Sequence, residues 1–459
     1  MTYSLRSLFV LLLSISLFAA GCQASNGPVP HSDRSEGAAG QESVTLEAWI
    51  MSNTPVAEGV FMETLQPFLK ERSDIQIDLM VLSWDDAWSD VVTAVSTGEG
   101  PDLLQLGTTW VPAIAAMDGL ADLTERFEQE GTPRPDAYLP ASWETTMISG
   151  KPNIYAVPWF VEGRAILYRK SAFKAAGLDP AAAFENWDTF KETLRRLQGV
   201  EVDGQRLSAF SITGKNDWSV AHNIFPWVWS AGGEVLTPDV KAAAFNSDDA
   251  LAGILYYTGL AHEGLVDPSS LDKTSTEVEI DFADGKTAMV VTGSWVLRDL
   301  AVPRDAGGLA GVVDPGDVGV APLPMGPKGR ATFIGGSNLV IFKHSSHQDE
   351  AWDVISYLSG NEDAQLTYAQ KLGMLPAQEG LLHSPRLTEI PGYTAFADAT
   401  KYGRSYPSIP QWGPAETTLV KYFGMIWDLA SGRSGVYTED AVRRLLDDAA
   451  REVDLILAQ

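Results

Sequence analysis

Glu162 and Arg164 stand two residues apart inside an otherwise apolar run, PNIYAVPWFVEGRAILYRKSAF, residues 152–173. Residues two apart on a strand share a face. Two buried charges are costly unless something polar meets them. That partner is either the other charge or a ligand. Polar groups also gather at three places just past apolar runs: Met51-Ser52-Asn53-Thr54, Ser83-Trp84-Asp85-Asp86 and Gly107-Thr108-Thr109-Trp110. Any one of them reads equally well as helix capping, with Ser83 or Asp85 as the N-cap. Three in succession, two with a tryptophan, point to a ligand-binding edge that carries Asn53, Trp84, Asp85, Thr109 and Trp110.

Other chemistries are absent from the chain. Asp284-Gly285-Lys286-Thr287 resembles the end of a phosphate loop, but the glycine needed five residues before Gly285 is Ile280. No HExxH, GxSxG, GxGxxG or paired CxxC occurs. The 6 histidines show no metal-ligand spacing, and His344 and His347 sit in a polar turn. No catalytic residue, metal or cofactor is therefore predicted. The formal net charge of −27 argues against nucleic acid, whose phosphates would be repelled. It also argues against an anionic membrane surface as the main partner, and serves solubility.

The 459 residues suffice for two or three domains, and 45% hydrophobic content supports a sizeable core. Residues 1–22 read as an export signal: Arg6, then the apolar Leu8–Ala20, then Ala19-Ala20-Gly21-Cys22. The apolar stretch is too short to span a bilayer as a mature helix. Small residues before a cysteine resemble a bacterial lipobox, although Ala19 stands where a large aliphatic residue is usual. Cys22 is the 1 cysteine of the chain, so it has no intramolecular disulfide partner. Residues 23–43 are rich in Ser, Gly, Pro and Ala and suit a flexible tether. Cys22 is thus expected to carry a lipid anchor. No later apolar run reaches transmembrane length.

The elements that must position these residues begin at Val44. Val44–Ile50 alternates as a strand, 59–72 is helical, Ile75–Leu82 is a strand, 84–95 is helical and 101–106 is a strand. Such alternation implies an α/β domain with a largely parallel sheet, with ligands beyond the C-terminal strand ends. Ile154–Val157 reads as a strand that Pro158 bends or confines to a sheet edge. Residues 165–168 resume a strand. Further helices are expected over 170–177, 187–197, 251–262, 278–282, 348–358, 363–368, 417–429 and 439–457. Strands are expected over 209–212, 287–292 and 331–342.

The ordered set of "STGEGPDLLQLGTTWVPAIAAMDGLADLT", "YAVPWFVEGRAILYRKSAFKAAGLDP", "FADGKTAMVVTGSWVL", "GGSNLVIFKHSSHQDEAWDVISYLS" and "YAQKLGMLPA" resembles the extracellular solute-binding proteins of family 1. These are carbohydrate-type receptors of bacterial ABC importers, similar to maltose-binding protein. The resemblance runs from about Val44 to the C-terminus. It implies an α/β, two-lobed periplasmic-binding-protein type II fold. Each lobe is a central mixed sheet flanked by helices, and hinge crossings join the two. The expected N-terminal lobe is 44–157 plus 333–376, and the C-terminal lobe is 158–332 plus 377–459.

A sugar's C–H face packs on an aromatic ring, and its hydroxyls both donate and accept. The resemblance assigns residues to those tasks. Trp295, after a Gly293-Ser294 turn, matches the tryptophan that stacks on the sugar; core packing is the alternative. Glu162 matches a hydroxyl-binding glutamate, against a plain ion pair with Arg164. Thr109 and Trp110 match a first-lobe contact loop. The maltose receptor carries a charged pair there, so a different sugar or linkage is implied. Asn53 matches a polar contact position. Asp217 and Trp218 lie in a polar loop that reads equally as a solvated turn. Gly335, Gly336 and Ser337 permit close backbone approach to ligand or serve as a hinge. Trp412 and Glu416 match a C-terminal aromatic wall, against helix-start packing. Trp227 and Trp229 read as core.

The function implied is an exported, monomeric, non-enzymatic receptor, lipid-anchored to the outer face of the cytoplasmic membrane or in the periplasm. It would bind a di- or oligosaccharide and deliver it to the permease subunits of an ABC importer. Two rivals stand beside it. A secreted glycoside hydrolase would need a pair of carboxylates about 5–10 Å apart. A binder of a phosphorylated polyol or a polyamine is the other; for phosphate, Arg164 and Arg404 are the available cations.

Overall fold

The structure, a computed structural model, describes residues 43–130, 134–215 and 217–459, without the side chains of Asp85 and Glu130. The leader, Cys22 and the tether up to residue 42 lie outside the described residues, as does the side chain of Asp85.

The chain opens with β1 (Val44–Met51) and β2 (Ile75–Leu82), parallel over their whole length, then β3 (Leu103–Gly107), parallel to β1. β1 buries Leu46, Ala48 and Ile50 on one face, as its period-two sequence requires. The helix Ala57–Glu71 between β1 and β2 buries Val60, Phe61, Thr64, Leu65 and Phe68, one stripe of a 3.6-residue period. The chain continues through β4 (Val157–Gly163) and β5 (Ala165–Arg169). A small hairpin follows, β6 (Glu201–Val202) with β7 (Gln205–Arg206). Then come β8 (Met289–Thr292), β9 (Val318–Ala321), β10 (Thr332–Ile341), β11 (Leu375–Pro376) and β12 (Gly403–Arg404).

Two sheets result. The larger runs β11-β4-β10-β3-β1-β2, with β12 paired to β10; the smaller runs β8-β5-β9. β10 lies antiparallel between β3 and β4. β4 therefore belongs to the larger sheet and β5 to the smaller, and Arg164 is the single residue between them. Side chains of β5 alternate between two cores. Leu167 joins the core that contains β1, β4 and β10. Ile166 and Tyr168 join the one built by the helices Trp187–Leu197, Ser219–Ala231 and Trp412–Ala430. Trp227 and Trp229 are buried in that second core, as expected.

Two strands differ from expectation. The strand begins at Val157, and Pro158 lies inside it, paired to Asn338 where the register shifts between Ser337 and Asn338. Proline offers no ladder donor, so the sheet accommodates it with an irregularity in place of a bend or an edge. The segment 209–212 forms isolated bridges from Ser208 and Ser211 to Thr287 and Val290, without a continuous ladder. The expected helices are present; 187–197 and 439–457 keep their bounds, and others extend, as 417–429 does to Trp412–Ala430. The helix Asp248–His262 starts at a Ser247 cap, and Gly177 closes Lys170–Ala176 at φ +63°.

Candidate functional site

The residue between the two sheets is the most constrained. Arg164 is 4% exposed. Its backbone is locked to β10: its N–H donates to Phe333 O at 3.3 Å, and its O accepts from Thr332 Oγ1 at 2.6 Å. Its guanidinium lies 3.6 Å from Glu162 Oε1 and 5.0 Å from the centre of the Trp295 ring. Arg164 Nε has no hydrogen-bond partner among the described residues. A buried guanidinium beside one carboxylate, without the bidentate bonds that would offset desolvation, is held at a cost. β4 and β10 set Glu162 opposite Gly335. A Cβ at 335 would stand 3.1 Å from Glu162 Oε1 and 2.7 Å from the Phe333 ring, so only glycine admits both. Gly336 has φ +126°, and a Cβ there would meet Phe160 O at 2.2 Å.

Trp295 opens a short helix, Trp295–Asp299, directly beyond β8. Its Nε1–H donates to Glu279 Oε1 at 3.2 Å, and Thr292 Oγ1 donates to the same oxygen. Burial pushes the Glu279 carboxyl up to about 7, against the pull of these bonds and of Arg164.

An aromatic file continues from Phe333. His222 stacks on it at 4.0 Å and 10°. His222 Nδ1 meets Tyr406 Oη at 2.7 Å, and Tyr406 stacks on Trp412 at 4.4 Å. Glu416 Oε1 lies 3.9 Å from His222 Nδ1. Burial pushes the Glu416 carboxyl up to about 8 and holds His222 well below its usual range. Trp412 and Glu416 are 1% and 2% exposed, and Tyr406 stacks on the Trp412 ring. The helix that starts at Trp412 draws both into the core.

The strand ends of the larger sheet form a second group. Gln105 is fully buried on β3. Its Nε2 donates to Ser337 Oγ at 2.8 Å and to Asn53 Oδ1 at 3.3 Å. Its Oε1 accepts from Met51 N at 2.9 Å and Asn53 Nδ2 at 3.1 Å. Thr108 N donates to Gly336 O at 3.1 Å. Thr109 lines a small cavity of about 10 Å³ with Phe333, Ile334 and Tyr406, room for about one water. A larger cavity, about 500 Å³, lies beyond Ile334 toward His383 and Lys401 and holds none of the predicted residues. Trp110 is met edge-on by Trp84 and Trp88, each at 5.4 Å. Trp84 and Trp88 are each 38% exposed, a large open aromatic surface.

Asp217, read as a ligand contact or a solvated turn, bonds to neighbouring helix starts. Its Oδ1 accepts from Ser219 N at 2.7 Å, and its Oδ2 accepts from Ser275 N at 2.9 Å and Ser275 Oγ at 3.0 Å. The carboxylate ties two helix starts together. Trp218 beside it is 55% exposed.

The structure therefore gathers Glu162, Arg164, Trp295 and Gly335 at one end of β10, and Asn53, Thr109, Gly336 and Ser337 along it. Trp84 and Trp110 stand beyond β3. Sequence reasoning missed Trp88, Gln105, His222, Glu279, Phe333 and Tyr406. Trp88 was findable, four residues after Trp84 on a helix. Gln105 was the lone polar residue in an apolar strand. His222 and Tyr406 carry no local signal. Among the described residues no cluster of three or more metal-ligating side chains occurs, and no helix is long and apolar enough to cross a membrane.

Residues 53–365 match the family model described as bacterial extracellular solute-binding protein. A binding protein of Brucella abortus is 26% identical over 428 residues, which are 91% of this chain and 94% of that one. The diacetylchitobiose binding protein DasA of Streptomyces coelicolor is 24% identical over 414 residues, 89% and 90% of the two chains. Among solved structures, the sugar-binding protein MalE from Xanthomonas citri superposes with a TM-score of 0.74 at 24% identity, covering 90% of this chain and 98% of the other.

Proposed function

Because the chain belongs to the bacterial extracellular solute-binding protein family, with the type II periplasmic-binding fold, we propose that it closes two lobes around a di- or oligosaccharide and delivers it to an ABC importer. The relatives' sugar ligands support that class. The observation that carries the reading is the Glu162–Arg164 pair. Its charges lie 3.6 Å apart with no hydrogen bond between them, and Arg164 Nε has no partner among the described residues. A sugar hydroxyl both accepts and donates, so one hydroxyl satisfies the guanidinium and the carboxylate together. Trp295, beside the same guanidinium, supplies the ring for the C–H face.

The lobes are read as 44–157 plus 333–376 and 158–332 plus 377–459, with the crossing at Arg164. Arg298, beyond β8, donates to Thr54 Oγ1 at 3.3 Å, beyond β1, which suits a closed arrangement stabilised from both sides. Trp84, Trp88 and Trp110 extend the aromatic surface for further sugar units. The lone cysteine after a short apolar leader supports lipid anchoring at Cys22 and a tethered receptor.

Calorimetric titration with maltotriose, diacetylchitobiose and arabinotriose tests the class. Saturable binding without turnover is expected; hydrolysis of any of them would overturn the reading in favour of a glycosidase. A phosphorylated polyol is the second reading, since Arg164 is a buried cation whose Nε–H has no partner among the described residues. Glu162 at 3.6 Å repels a dianion and favours the neutral sugar.

A further inference from the structure

The indole of Trp295 is fixed by contacts that involve no ligand. Its Nε1–H donates to Glu279 Oε1 at 3.2 Å, and the Arg164 guanidinium lies 5.0 Å from the ring centre. Gly293 leaves the room the ring fills: a Cβ there would fall 1.7 Å from a ring carbon. Glu279 itself sits on the helix Ser275–Ala283, is 6% exposed and is flanked in that helix by the buried Val278 and Phe282. A carboxylate in such a place is expensive unless its bonds are used. Both of its hydrogen bonds fall on Oε1, from Trp295 and from Thr292 of β8. The threonine fixes the carboxylate rotamer; the carboxylate in turn fixes the indole, whose outer torsion is otherwise broad.

We propose that Glu279 is a positioning residue of the sugar site: through Nε1–H it sets the plane of the Trp295 ring that is offered to the sugar. This rests on the reading that Trp295 stacks on the ligand. Glu279 need not touch the sugar to act. A hydrogen bond to an ionised acceptor is about twice as strong as a neutral one. Burial pushes Glu279 up to about 7, Thr292, Arg164 and Trp295 pull it down, and Asp299 of the neighbouring helix pushes it up. The ring is accordingly held more firmly as pH rises through that value.

The test uses the full chain with ¹⁵N-labelled tryptophan, so that indole N–H signals are read directly. The Trp295 signal is assigned by its loss in Trp295→Phe. In the wild type it is expected to titrate with a midpoint near 7. In Glu279→Gln, which keeps an acceptor but no charge, the signal should persist and stop titrating. In Glu279→Ala it should move and exchange faster with solvent. Affinity for maltotriose or diacetylchitobiose should fall about 5-fold in Glu279→Ala, the scale of one hydrogen bond. It should not fall further when Glu279→Ala is added to Trp295→Phe. A Trp295 signal indifferent to pH and to both Glu279 variants would overturn the proposal. If Glu279→Ala does not fold, the Glu279→Gln titration decides alone. Should Trp295→Ala leave sugar affinity unchanged, the stacking reading fails, while the indole signal still judges the positioning contact.

Discussion

The two polar groups strung along β10 are built in opposite ways. At the strand ends of the larger sheet, Gln105 uses both ends of its amide on Asn53, Ser337 and the Met51 backbone. At the crossing, Arg164 is nearly as buried but bonds through its backbone only, with Glu162 at 3.6 Å. Buried polar groups in native proteins are normally paired, and each exception asks for a reason. The satisfied group reads as scaffold that fixes the strand ends. The unsatisfied one reads as the surface that a ligand completes.

That contrast is broken or sharpened by four measurements, from the largest effect down. Arg164→Met should weaken sugar binding by about 2–5 kcal/mol, because it removes one member of a buried charge pair and strands Glu162. Trp295→Ala should weaken binding by about 1–3 kcal/mol in the same calorimetric assay. Gln105→Leu should act on the fold instead. It leaves Ser337 and Asn53 without their partner and should lower unfolding stability by about 1–3 kcal/mol in a denaturant titration, with little change in sugar affinity. An affinity loss there equal to that of Arg164→Met would dissolve the distinction. Trp84→Ala should cost least, about 1 kcal/mol of affinity, since its ring is already part-solvated.

A pH series addresses the buried acid behind Tyr406. Glu416 is raised from 4.5 to about 8 by burial. The folded chain therefore holds a proton that the unfolded chain has lost, and unfolding stability falls as pH rises between those values. Below the lower value both states are protonated and the effect is complete; above the upper one it is gone. Glu416→Gln should flatten this slope, and its melting temperature should exceed the wild type's at pH 9. A wild-type-like slope in that variant would assign the dependence elsewhere.

The fold was largely legible in the chain because its elements are written in local periods. The alternation of Val44–Met51 and the helical stripe of Ala57–Glu71 each stand alone. Pro158 was misjudged because a register shift on β10, far away in sequence, absorbs it. Glu162, Arg164 and Trp295 were visible as charges or a turn-borne aromatic out of place. Asp217 was visible too, but its partner Ser275 was not, so its tie between two helix starts could not be read. For Trp412 and Glu416 nothing local shows that Tyr406 packs over the tryptophan. Glu279 could not be found at all, since its meaning depends on Trp295 and Thr292 arriving at one oxygen.

The most direct test of the central claim is calorimetric titration of Arg164→Met beside the wild type, using whichever sugar the wild type binds. The account predicts at least about a 30-fold loss of affinity in a variant that still unfolds cooperatively. Equal affinity in a folded Arg164→Met protein would contradict it and leave the Glu162–Arg164 pair as a plain structural ion pair.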